Sequence, residues 1–154
     1  MNIVGPELDA ADQCEQLLRS LPRWFGIESA LLEYVKATRT LPTFAAYELD
    51  LILGFISLKE HCPGAWEISC IAVHPDSHGQ GVGRRLHEQA EVWLRNRGTH
   101  FLQVKTLAAS HPSPEYARTR GFYERMGYHP LEVFTDLWGS RLPVLQLIKC
   151  IYHS

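Results

Sequence analysis

The chain has 154 residues, 45% of them hydrophobic, and a formal net charge of −2. That size fits one compact domain, and the slightly acidic balance argues against a general nucleic-acid binder. No basic leader with an apolar stretch stands at the start and no run is long enough to span a bilayer, so we expect a single domain over 1–154, in the cytoplasm, with neither nucleic acid nor membrane as partner.

In chain order, residues 9–21 read as a helix, with Leu8, Ala11, Cys14, Leu17 and Leu18 at helical spacing, Asp9 as N-cap and Pro22 as stop. A loop with two aromatics, Trp24 and Phe25, leads to a second helix over 28–38 that carries Leu31, Leu32 and Val35 as its apolar stripe. The period then changes to β. Residues 43–47, 51–58 and 66–73 are expected strands, with a turn at 61–64 before the third. Alternation in that third strand puts Glu67, Ser69, Ile71 and Val73 on one face and Trp66, Ile68, Cys70 and Ala72 on the other. After a glycine-rich loop, a helix over 83–97 ends at Gly98. A strand over 101–107, a helix over 115–126 and strands over 128–135 and 144–152 complete an α/β (α+β) domain with a mixed sheet. The edge of that last strand has to be covered, and a homodimer is one way to cover it.

Cys14, Cys62, Cys70 and Cys150 are too dispersed for a disulfide framework or a zinc knuckle. His74 and His78 are separated by Pro75 and do not share a helix face. We expect no metal.

The chemistry is concentrated in residues 78–86. Gly79, Gly81 and Gly83 lie between a strand and a helix. Glycine lets main-chain N–H groups approach an anion closely, the first N–H groups of a helix have no internal partner, and the helix dipole adds positive potential there. The result suits a phosphate. Arg84 and Arg85 in the first turn fit an anion better than they fit the bare helix. A glycine triplet alone also serves as a simple turn. Neither the P-loop nor the G-x-G-x-x-G spacing is present.

Residues 78–83 do match [QR]-x-x-G-x-[GA], with His78 in the first place, and this resembles motif A of the GNAT superfamily of N-acetyltransferases. Ile71-Ala72-Val73-His74-Pro75-Asp76 looks like the strand and turn before that motif. Residues 116–128, from Tyr116 through Tyr123 and Gly127 to Tyr128, look like motif B. Gly54-Phe55-Ile56-Ser57-Leu58 resembles an earlier strand of the fold. The resemblance covers about residues 43–135 in the right order.

It implies a GNAT fold, with a mixed, mostly antiparallel sheet of six or seven strands and about four helices. It also implies acetyl-CoA as co-substrate and transfer of the acetyl group to an amine of a small molecule or peptide. Ile71, Ala72 and Val73 would offer main-chain groups to the pantetheine arm. His78, Gly79, Gln80, Gly81, Val82, Gly83 and Arg84 would hold the pyrophosphate. Tyr123, four before Gly127, would be the general acid that protonates the leaving thiolate. Glu67, eleven before His78, stands where some members carry a catalytic glutamate and would be the base, acting through water. His74 and His111 are weaker candidates for that role. Cys70, on the opposite face by parity, is not expected to act as a nucleophile.

This sequence departs from the family pattern at His78, where Gln or Arg is usual, and at Tyr116, where many members have a cofactor-contacting asparagine. The acceptor has no comparable signature; Trp24, Phe25, Tyr34 and Trp138 are candidate walls. The alternatives are a CoA-binding sensor without catalysis and a nucleotide-binding module of another kind.

Overall fold

The computed structural model describes residues 1–152. The elements run β1 (Asn2–Val4), α1 (Ala11–Arg19), α2 (Glu28–Thr40), β2 (Thr43–Glu48), β3 (Leu51–Cys62), β4 (Ala65–Val73), a 3-10 turn (Pro75–Ser77), α3 (Val82–Asn96), β5 (Phe101–Leu107), α4 (Pro114–Arg125), β6 (His129–Phe134) and β7 (Val144–Cys150). One sheet takes the strands in the order β1-β2-β3-β4-β5-β7-β6. All neighbours are antiparallel except β4 and β5.

Two apolar clusters divide the sheet's faces. Alternation in β2 sends Ala45 to one and Phe44 and Ala46 to the other. The first cluster packs under α1 and α2 through Cys14, Leu17, Leu18, Leu31 and Val35. The second packs under α3 and α4 through Val82, Leu86, Ala90, Leu94 and Tyr123. A helix with one apolar stripe must bury it, and a two-faced sheet gives each helix pair a surface to cover.

The elements follow the sequence expectations, with shifts of a residue or two at several ends and the following larger differences. The three-residue β1 is too short to show a period and exists by pairing Asn2–Val4 with β2. α1 starts later than expected; Ala10 is its N-cap, and no side chain caps it. β3 runs on to Cys62, so the turn shrinks to Pro63-Gly64, with Gly64 at φ +82°. β7 is interior, paired on both sides by β5 and β6. The open edges are therefore β1 and β6, and the reason for a dimer given by the last strand falls away.

The main correction concerns β4. Ser57 pairs with Cys70 and Leu58 with Ile68, so Ser69 is an extra residue, a β-bulge. Trp66 packs its ring edge-on to Trp93 of α3, and Val73 meets the start of the same helix beside Gly83. Residues an odd number apart in a regular strand face opposite ways; the bulge reverses that parity. Glu67 therefore shares the α1–α2 face with Cys70 and Ala72, opposite Ile71 and Val73.

Candidate active site

β4 and β5 pair only at Ala65↔Phe101, Trp66↔Leu102 and Glu67↔Gln103. Beyond Glu67 they part, leaving residues 68–73 of β4 and 104–107 of β5 unpaired with each other. A parallel pair opened this way exposes a row of main-chain donors and acceptors inside the sheet. His74 N–H donates to Leu53 O at 2.8 Å on β3. Because alternate residues bond the same neighbour, Ile71 and Val73 turn their main-chain groups into the gap, while Ala72 turns toward β3. Of the three residues expected to offer main-chain groups there, two face the gap.

The glycine-rich loop closes the upper end of the gap. Gly79 and Gly81 have φ +76° and +79°, a left-handed conformation, and a Cβ at either would meet nothing within 4 Å. Their glycine is needed for the backbone's shape, and their outer side is open. Gly81 is the N-cap of α3, with no side-chain cap, so the helix's first N–H groups are left for a ligand. Gly83 lies inside the helix, where a Cβ would sit 3.4 Å from Phe122. Gly54 allows α3 to settle on the sheet, since a Cβ there would come within 2.8 Å of Ala72 O and 3.2 Å of Val82 and Leu86. Val82 is buried; it fixes the helix, and only its main chain is available to an anion. Gln80 Nε2 donates to Asp76 O at 3.2 Å, and Arg84 pairs with Glu88 at 3.0 Å on the exposed helix face.

His78, the departure from the family pattern, folds back on the strand. Its Nε2 donates to Val73 O at 2.8 Å. Its ring meets Trp24 edge-on, with centroids 5.8 Å apart. Trp24 belongs to the α1–α2 loop, which also reaches α4: Trp24 Nε1 donates to Thr119 at 3.2 Å, Tyr116 OH donates to Trp24 O at 3.0 Å, and Arg23 pairs with Glu115 at 2.6 Å. Tyr116 thus spends its hydroxyl on tying this loop to α4. The loop straps the glycine-rich turn to α4 across the open end of the sheet. Nothing in the spacing of Pro22-Arg23-Trp24 announces this contact, because the partners are remote in sequence.

Tyr123 is buried in the α3–α4 cluster between Phe122 and Tyr128. Its hydroxyl bonds no described residue, and among the described residues the one fully enclosed side-chain polar atom without a partner is His111 Nδ1. Burial above all, and then Cys70, Tyr34 and Tyr116, raise its pKa well beyond the ordinary phenol. Such a group is a weak acid that holds its proton at neutral pH, so the phenol and not the phenolate is the form present. Burial likewise raises the Cys70 thiol, which keeps it protonated and poorly nucleophilic.

Glu67 lies where the gap begins, with a side chain only 14% exposed. Its Oε1 is 2.6 Å from His61 Nε2 and its Oε2 2.8 Å from Lys105 Nζ. Lys105 reaches Gln103 at 3.4 Å, and Gln103 accepts from Gln146 at 2.6 Å. Sequence reading missed His61 and Lys105, which arrive from β3 and β5 through strand pairing. Burial, and after it Cys70, Tyr116 and Glu67, push the Tyr34 hydroxyl of α2 up to about 12. Of the expected acceptor walls, Tyr34 packs edge-on to Phe25 at 5.7 Å, whereas Trp138 stands in the β6–β7 connection, 41% exposed. His74 accepts the Asp76 N–H at 3.1 Å and shapes the turn.

Among the described residues no group of three or more His, Cys, Asp or Glu side chains is placed to hold a metal ion, and no helix is long and apolar enough to cross a membrane.

A family model described as an acetyltransferase (GNAT) domain matches residues 38–130. No curated protein sequence matches the chain. Solved structures share its fold. A protein assigned to the GNAT family from Desulfovibrio desulfuricans superposes with TM-score 0.81 at 20% identity over 97% of this chain and 98% of its own. An aminoglycoside 6'-N-acetyltransferase complexed with coenzyme A gives 0.78 at 22% identity over 100% and 99%. The ribosomal-protein-S18-alanine N-acetyltransferase of Escherichia coli gives 0.76 at 18% over 99% and 96%.

Proposed function

The chain belongs to the GNAT acetyltransferase family, and from that premise we propose that it moves an acetyl group from acetyl-CoA to a primary amine by direct transfer in a ternary complex. The observation that carries this reading is the β4–β5 gap, which has an uncapped helix N-terminus at one end, with Tyr123 buried in the cluster against which Ile71 and Val73 pack. The domain acts as one unit over 1–154, in the cytoplasm.

The N–H groups at Gly79–Gly83 and the start of α3 hold the pyrophosphate, with Arg84 adding charge. Ile71 and Val73 pair with the pantetheine arm as with an added strand. Val73 O already accepts from His78 and has a second lone pair for that pairing. The amine must lose a proton before it can attack, since an alkyl ammonium has no lone pair. Glu67 supplies negative charge on the acceptor side and takes part in that deprotonation together with the groups it holds. Tyr123 gives its proton to the departing sulfur. The acceptor class comprises small amines and peptides; an aminoglycoside, a polyamine and a peptide N-terminus all present the required group. The CoA-bound aminoglycoside acetyltransferase of the same fold supports the donor.

A melting experiment tests the donor site. Ligands that bind the folded state raise its melting temperature by linkage. Acetyl-CoA should raise it, and ATP and NAD should not. Stabilisation by ATP or NAD without stabilisation by acetyl-CoA would overturn the reading.

A further inference from the structure

The Glu67 carboxylate is occupied on both sides. Its Oε1 meets His61 at 2.6 Å and its Oε2 meets Lys105 at 2.8 Å, where β3, β4 and β5 converge. Lys105 is itself held by Gln103, and Gln103 by Gln146. The chain of contacts thus ends at His61, the more open partner, with a side chain 35% exposed against 14% for Glu67. With Nε2 on Glu67, His61 Nδ1 has no partner among the described residues. The bulge at Ser69 turns Glu67 to the α1–α2 face, away from α3.

We infer that His61 is the residue that accepts the proton of the incoming ammonium, and that Glu67, braced by Lys105, is a positioning residue for its imidazole. The inference rests on the acetyl-transfer reading. The ammonium passes one proton to Nδ1 of His61 and regains a lone pair. Its nitrogen bonds the thioester carbonyl carbon, and the C–S bond breaks with its electron pair on sulfur. Sulfur takes the Tyr123 proton, the surplus proton of the new amide nitrogen restores the phenol through water, and His61 returns its proton to solvent. A carboxylate bonded to one imidazole nitrogen fixes the tautomer that leaves the other free as base.

The test uses the full chain with acetyl-CoA and three acceptors: kanamycin A, spermidine and an alanine-initiated tripeptide. Thiol release is followed for wild type, His61→Gln and His61→Ala, with melting temperature and acetyl-CoA KM measured on each. Both variants should lose roughly 100-fold in kcat while acetyl-CoA KM and melting stay near wild type. Added imidazole should restore His61→Ala at least several-fold and leave His61→Gln unchanged, because the glutamine still fills the site. A His61→Gln kcat within twofold of wild type overturns the proposal, as does a failure of imidazole to rescue a folded His61→Ala. Wild-type protein that releases thiol with none of the amines contradicts the acetyl-transfer reading itself, and this inference with it.

Discussion

His87 Nε2 lies 2.7 Å from the hydroxyl of Tyr128, joining α3 to the segment after α4 in a place where both side chains are buried. Its Nδ1 is 3.4 Å from Glu91, whose carboxylate also meets Lys149 and Arg95. Burial is the largest influence on His87 and lowers its pKa from 6.5 to about 4; Glu91 and Glu88 oppose this, while Lys149 and Arg95 add to it. The unfolded chain therefore binds a proton here at a higher pH than the folded one. This site's stability is fully present above about 6.5 and is lost as pH falls toward 4, by about 3 kcal/mol in all. Urea melts between pH 7 and 4 check this: wild type should lose stability over that window more steeply than His87→Gln, and equal slopes would remove the assignment.

Tyr123→Phe separates chemistry from packing. The hydroxyl bonds no described residue, and the ring packs between Phe122 and Tyr128. Its removal should leave the melting temperature nearly unchanged. Under the general-acid role, kcat at saturating acetyl-CoA should fall roughly 100-fold. A variant with wild-type turnover would show that the sulfur gets its proton elsewhere.

The two loop glycines should respond differently. At Gly81, φ +79° with open space around a Cβ, alanine meets no clash but suffers left-handed strain of about 1–2 kcal/mol. We expect Gly81→Ala to melt a few degrees lower and to raise KM for acetyl-CoA more than it lowers kcat, as the loop's N–H groups lose their aim. Gly83 is helical, and its Cβ would be in ordinary contact with Phe122 at 3.4 Å. Gly83→Ala should keep or slightly raise the melting temperature. Equal losses in both variants would contradict this division of labour.

Residues 78–83 were readable because the requirement there is local: a left-handed backbone at Gly79 and Gly81 calls for glycine in the sequence itself. The helices and most strands were readable from their periods. The face of Glu67 was not. Trp66 and Val73 both meet α3, and strict alternation forbids that. The inserted Ser69 that permits it has no marker, because a bulge is defined by the partner strand. For the same reason His61 and Lys105, six and 38 positions from Glu67, were invisible until β3 and β5 were laid beside β4. The sequence marks Trp24 as an aromatic in a loop, but its seat between His78 and Thr119 depends on the whole fold. Signals carried within a few residues survive a linear reading, and those created by strand pairing and loop docking do not.

Acetyl transfer is tested most directly by incubating the wild-type protein with acetyl-CoA and each of an aminoglycoside, a polyamine and a peptide with a free N-terminus, then measuring free thiol and amine mass together. The account predicts that at least one amine gains one acetyl group for each thiol released. Tight acetyl-CoA binding with no acetylated amine would contradict it and leave a protein that holds the donor without using it.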